Sequence, residues 1–133
     1  MAVDASGNVW AACSSTLAEF ANSGTAISPS TGYTGGGIGN PKGIAIDGAG
    51  NIWLSNTGTV SEFSKTGVAI TPSTGYTAAG VLLTLYGIAI NSSGNVWLAA
   101  GGSQSVDELI GAATPVITPL VTGVKNNTIS TAP

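Results

Sequence analysis

The sequence predicts an all-β chain of three four-stranded antiparallel units, and three observations predict it. The triplet Asn8-Val9-Trp10 returns as Asn51-Ile52-Trp53 and Asn95-Val96-Trp97, at steps of 43 and 44 residues. The 20 glycines fall with Asn and Ser between short apolar runs, where tight turns need them. Alanine is common, but it sits beside Gly, Ser, Thr and β-branched residues and shows no amphipathic helical spacing.

Other anchors share the period. Gly43-Ile44-Ala45-Ile46-Asp47 recurs as Gly87-Ile88-Ala89-Ile90-Asn91, with its first copy clipped to Ala2-Val3-Asp4. Glu19-Phe20 recurs as Glu62-Phe63 and, altered, as Glu108-Leu109, and Pro29-Ser30-Thr31-Gly32-Tyr33 recurs unchanged as Pro72-Ser73-Thr74-Gly75-Tyr76. Several independent anchors on one period define a repeat.

The middle unit shows the elements in order. Gly43 to Asp47 is an apolar run of strand length, and Gly48 to Asn51 turns. Ile52 to Ser55 is a second strand, turned by Asn56-Thr57-Gly58. Thr59 to Ser64 alternates as a third strand, Lys65-Thr66-Gly67 turns, and Val68 to Thr71 is a fourth strand ended by Pro72. The first two strands are apolar on both faces and the third carries Glu62. That order fits a β-propeller blade stacked between neighbours, inner strands covered and outer strands wet. A parallel β-helix has much shorter coils, and an immunoglobulin-like sandwich would not repeat the same anchors three times. The units run over about 1–40, 41–84 and 85–118. The tail 119–133 lies outside the repeat, as an added strand on a neighbouring unit or a loose end.

The pattern Pro41, Gly43 to Asp47, Gly50 to Trp53, Val60 to Phe63 and Gly67 resembles the NHL repeat, and the resemblance covers residues 2 to about 118. The third unit departs from it, with Leu85 and Tyr86 for Pro41 and Lys42, Asn91 for Asp47 and Leu109 for Phe63. The resemblance implies a propeller whose ring holds about six blades. Three blades do not close a ring, so their open apolar faces imply self-association, with a homodimer closing six blades as the favoured form. An open stack of copies is the alternative. Lyases of similar fold rely on histidine and bound metal. This sequence has no histidine, which removes the usual general base and commonest metal ligand. The expectation is therefore no catalytic residue, no cofactor and no metal.

Composition excludes further classes. Lys42, Lys65 and Lys125 are scattered, so no basic face exists for nucleic acid. No segment approaches the length of apolar chain that a membrane helix needs. Charged residues are only 7% and the net charge is −3. Low charge with abundant Ser and Thr predicts an exported bacterial surface protein, although Met1 leads into a strand with no signal peptide before it.

Asp4 and Asp47 at one repeat position are expected to bond the turn that follows them. Glu19, Glu62 and Glu108 are expected on solvated third strands. Cys13 has no histidine to activate it and is expected as a small buried residue. Trp10, Trp53 and Trp97 are expected in the core between units. Turns between second and third strands bring Ser14, Ser15, Asn56, Thr57, Ser103 and Gln104 to one rim, with Tyr33 and Tyr76 in the long connections. These are the candidate contacts for a glycan or peptide. The function expected is a non-enzymatic binding or interaction scaffold. The alternatives are a self-assembling structural surface protein and a fragment of a larger propeller enzyme whose catalytic residues lie elsewhere.

Overall fold

A computed structural model of the chain describes residues 1–77 and 84–116. The described residues form three three-stranded antiparallel sheets and no helix. The first sheet holds β1 (Ala2–Val3), β2 (Val9–Ala12) and β3 (Leu17–Phe20). The second holds β4 (Gly43–Ile46), β5 (Ile52–Ser55) and β6 (Val60–Phe63), and the third β7 (Leu85–Ile90), β8 (Val96–Ala100) and β9 (Ser105–Leu109). Among the described residues no ladder joins one sheet to the next and the sheets do not close on themselves.

The repeat in sequence is a repeat in register. Trp10 pairs with Glu19, Trp53 with Glu62, and Trp97 with Glu108. Strand formation follows from β-branched and aromatic residues bounded by turns with a built-in hydrogen-bond acceptor. Asp47 Oδ1 accepts the backbone N–H groups of Ala49 and Asn51, each at 2.9 Å. Asp4 does the same for Ser6 and Asn8, and Asn91 for Ser93 and Asn95. The turn closes through Gly50 at φ +87°, a left-handed conformation that glycine adopts at least cost.

The units differ from expectation in strand number. Each was expected to have four strands and each ladder has three. In the second unit the segment after β6 makes only two single bridges, Ala69 to Phe63 and Tyr76 to Val60. Between them the amides of Ile70 and Thr71 both donate to the carbonyl of Glu62, at 2.8 and 3.3 Å. Two residues opposite one form a bulge and break the register. The Glu62 amide then bonds the hydroxyl of Thr71 at 3.1 Å rather than a backbone carbonyl. Ala26, Tyr33 and Ser28 repeat the arrangement on β3. A side chain has taken the place of the fourth strand's ladder.

The core lies between sheets. Trp10 and Leu17 of the first sheet pack with Ile52, Leu54 and Phe63 of the second. Trp53 and Val60 of the second pack with Val96, Leu98 and Leu109 of the third. The first strands β1, β4 and β7 lie beside one another in turn. Residue 86 is extra in the ladder, because pairing shifts between Leu85 and Gly87, and the Tyr86 ring is pushed outward. Residues 119–133, expected as an added strand or loose end, lie outside the described residues.

Candidate functional site

Four features of the surface and interior bear on function: a repeated polar network, a turn rim, two uncovered end faces and one cavity.

The network begins with the turn acids. Asp4 Oδ2 accepts Trp10 Nε1 at 3.1 Å, and Asp47 Oδ2 accepts Trp53 Nε1 at 3.3 Å. Asn8 Nδ2 donates to Glu19 and Asn51 Nδ2 to Glu62, both at 3.2 Å. The hydroxyls of Tyr33 and Tyr76 donate to the other oxygens of those carboxylates, at 3.0 and 3.4 Å. Tyr33 stacks on Trp10 with ring centroids 5.8 Å apart. Glu19 and Glu62, expected in water, are in fact buried, at 5% and 7% exposure. The cause is their register: each stands beside a tryptophan on the face that the next sheet covers. Glu108, at the same position in the third sheet, is exposed.

Burial sets the charges. Burial raises the Glu62 carboxyl above its ordinary value, the negative charge of Asp47 raises it further, and bonds from Tyr76 and Asn51 offset part of this. Burial also raises Asp4, but donation from Trp10, Asn8 and Ser6 outweighs it and holds that carboxyl below its ordinary value. Burial and the partner glutamate push the hydroxyls of Tyr33 and Tyr76 up. No three His, Cys, Asp or Glu among the described residues come together as a metal site. The bonds of the network run within each unit, and Asp47 Oδ2 also accepts the Thr114 amide of the third unit at 3.1 Å.

The rim residues divide. Ser14, Ser15, Thr57, Ser103 and Gln104 are exposed. Asn56 is fully buried, with Nδ2 donating to Ser61 at 2.8 Å and to Thr59 at 3.2 Å. Tyr33 and Tyr76 direct their hydroxyls inward to the glutamates. The turns do not gather their exposed groups around one pocket.

The end faces follow from alternation. Trp10 and Trp53 each point to the sheet that follows, and Trp97 stands at the same repeat position on the third sheet. Trp10 and Trp53 are covered, at 0% and 1% exposure, while Trp97 is 39% exposed. The expectation of an inter-unit core thus holds for two of the three. Val106 shares the open face with Trp97, being one turn of alternation away on β9. At the other end Val3 and Phe20 are exposed on the face turned from the second sheet.

A cavity of about 380 Å³ opens on that same N-terminal face. Cys13, Thr16, Ala18, Phe20, Ala26 and Ser28 line it. Cys13 was expected to be buried and is exposed, because nothing among the described residues covers the cavity mouth. Open end faces were expected from a run of three units, and the exposure of Val3, Phe20, Trp97 and Val106 places them. The cavity had no sequence signal of its own. No family model matches the chain, and no curated protein matches it.

Proposed function

We propose that this chain is a non-enzymatic interaction scaffold of NHL-like β-propeller blades, and that its working surfaces are its two end faces. The observation that carries the reading is the exposure of Trp97, whose counterparts Trp10 and Trp53 are each sealed by a following sheet. The lack of histidine supports a binding role over a catalytic one.

The partner that fits is a second copy. Trp10 is covered by Ile52 and Phe63. Their counterparts in the first sheet, Val9 and Phe20, face away from the second sheet. The N-terminal face of one copy therefore offers the Trp97 face of another the same kind of cover that Trp10 already has. Two such joints around a two-fold axis close a ring of six blades, and one joint repeated without closure builds a stack.

Light scattering across a concentration series tests the reading. The expected result is a mass rising toward twice 12.9 kDa, with Trp97→Lys held at the monomer. A wild-type chain that stays folded and monomeric at all concentrations overturns it. The exposed rim groups Ser14, Ser15, Thr57, Ser103 and Gln104 support a glycan or peptide contact only through their accessibility.

A further inference from the structure

The chain leaves the third sheet along a path that the second unit does not use. After β6, residues 65–67 turn and residues 68–71 come back beside that strand. After β9 the Gly111 amide donates to Asn95 Oδ1 at 2.9 Å, and residues 113–116 run across two turns instead. The Ala113 amide donates to the carbonyl of Gly94 at 2.9 Å and the Val116 amide to that of Asn91 at 3.4 Å, both within the third unit. Between them the Thr114 amide donates to Asp47 Oδ2 at 3.1 Å, and the Thr114 carbonyl accepts the Gly48 amide at 3.1 Å. Pro115 has no amide to satisfy. The two bonds of Thr114 are the only hydrogen bonds that join the third unit to the second among the described residues. The close approach needs glycine on both turns: a Cβ on Gly48 would meet the carbonyl of Pro115, and one on Gly94 that of Ala113.

We infer that residues 113–116 are a proton-controlled strap between the second and third units, held on Asp47 while Glu62 is neutral and loosened when Glu62 ionises.

The carboxylate that holds the strap is crowded by a second one. Asp47 is 6% exposed. Its Oδ2 accepts from Thr114, from Trp53 Nε1 at 3.3 Å and from Asn51 Nδ2 at 3.4 Å, and no cation is among these donors. The same Asn51 Nδ2 donates to Glu62 Oε1 at 3.2 Å, so one amide bridges two buried carboxyls. With both ionised, two negative charges share that amide away from water. A proton on Glu62 removes one of the charges. Lifting the strap gives the other relief, because water then reaches Asp47 and screens its charge. The open strap therefore favours ionised Glu62, and the closed strap favours neutral Glu62. With the strap closed, burial and the charge of Asp47 raise the Glu62 carboxyl above 4.5. Closure is tightest in acid and weakens as pH rises through that raised value.

The other titratable groups around Glu62 can be told apart. Tyr76 reaches it from the connection after β6, and its own hydroxyl is pushed up, so it keeps its proton through this range. On the third sheet, Asp107 stands opposite Leu98 on the face turned to the second sheet, and Glu108 stands on the other face opposite Trp97. The first junction has no such strap: Asp4 is half-buried, and its Oδ2 accepts Trp10 Nε1 but no backbone amide of the second unit among the described residues.

Self-association is not required, so the test runs at a concentration where light scattering shows one mass from pH 4 to pH 7. The readout is hydrogen exchange at the amides of Thr114 and Gly48, each rate taken relative to that of an unstructured peptide at the same pH. The amide of Tyr33, bonded to Leu17 in the first unit, reports unfolding of the whole chain. Between pH 4 and pH 7 the protection of Thr114 and Gly48 is expected to fall about fivefold more than that of Tyr33. Glu62→Gln should remove this difference, and Asp107→Asn should leave it in place. An equal change at all three amides overturns the inference, since the whole chain then opens rather than the strap. A difference that persists in Glu62→Gln, or that Asp107→Asn abolishes, also overturns it. Should the Glu62→Gln chain not fold, the wild-type chain still decides. The midpoint of the lost protection must coincide with the titration of the Glu62 carboxyl followed by NMR, and a midpoint elsewhere overturns the inference.

Discussion

Trp53 Nε1 donates to Asp47 Oδ2 at 3.3 Å, and in the third sheet the corresponding pair, Trp97 and Asn91, makes no such bond among the described residues. Asn91 keeps the oxygen that accepts from Ser93 and Asn95, so its turn survives intact. Its second polar atom is an amide nitrogen, whose lone pair is delocalised into the carbonyl and does not accept from an indole N–H. One atom thus separates two jobs of the turn acid: the first oxygen shapes the turn and the second ties down a tryptophan.

That division predicts the effect of Asp47→Asn. The turn bonds to Ala49 and Asn51 persist, as they do at Asn91. Bonds from Trp53 Nε1 and from the backbone amide of Thr114 at 3.1 Å are lost. The expected cost is about 1–3 kcal/mol, because both donors are left without their acceptor inside the protein. Asp4→Asn loses only the Trp10 bond and is expected to cost less. Urea denaturation of the two variants checks the order. Equal losses would mean that Thr114 contributes nothing.

The Glu62 carboxyl predicts a pH dependence. Its folded-state pKa lies above its ordinary value of 4.5, from burial and the charge of Asp47. Its contribution to stability is fully present below the unfolded value and is lost as pH rises through the folded one. Asp4 runs the other way: with its folded pKa below its ordinary 3.8, its contribution is present above that value and lost as pH falls through the folded one. Glu62→Gln keeps a neutral side chain of the same length beside Asn51 and Tyr76. It is expected to be more stable than wild type at pH 7, by up to about 1 kcal/mol, and to lose that advantage near pH 4. Melting temperatures across pH check this. A constant difference at every pH would remove Glu62 as the titrating group.

Two glycines with similar dihedrals predict different costs. Gly24 has φ +85° and open space around it, while Gly37 has φ +71° and the Gly75 backbone against it. Gly24→Ala is expected to cost about 1 kcal/mol, the conformational term alone. Gly37→Ala must also displace the connection from the second sheet, and is expected to cost more than 2 kcal/mol. Similar losses in chemical denaturation would mean that the connection lifts off freely.

The period, the positions of the first three strands and the turn role of Asp47 were all legible in the sequence, because each follows from local chemistry at Asn51-Ile52-Trp53 and its copies; the register that pairs Trp53 with Glu62 was not. Nor was the missing fourth strand. Val68 to Thr71 has strand composition, and only the folded unit shows Thr71 bonding the Glu62 amide with its hydroxyl. The burial of Glu19 and Glu62 was hidden for a similar reason. Alternation assigns a residue to a face, but it does not say that a neighbouring sheet will cover that face or that Tyr33 and Tyr76 will arrive to satisfy the carboxylates. The cavity was hidden as well, since nothing local to Cys13 distinguishes a small buried residue from one at an open mouth.

The two end faces predict a mixing result that separates a head-to-tail joint from a face paired with itself. In a head-to-tail joint Phe20 of one copy meets Trp97 of another. Phe20→Lys and Trp97→Lys should then each abolish association alone, since either one spoils every joint. Mixed in equal amounts, they should recover one joint, because the Phe20→Lys copy keeps an intact Trp97 face and the Trp97→Lys copy keeps an intact Phe20 face. The expected species is a single-joint heterodimer, weaker than the wild-type assembly, which light scattering of the mixture would show. If Trp97 faces instead paired with each other, Phe20→Lys alone would associate as wild type does, and adding Trp97→Lys would only dilute it.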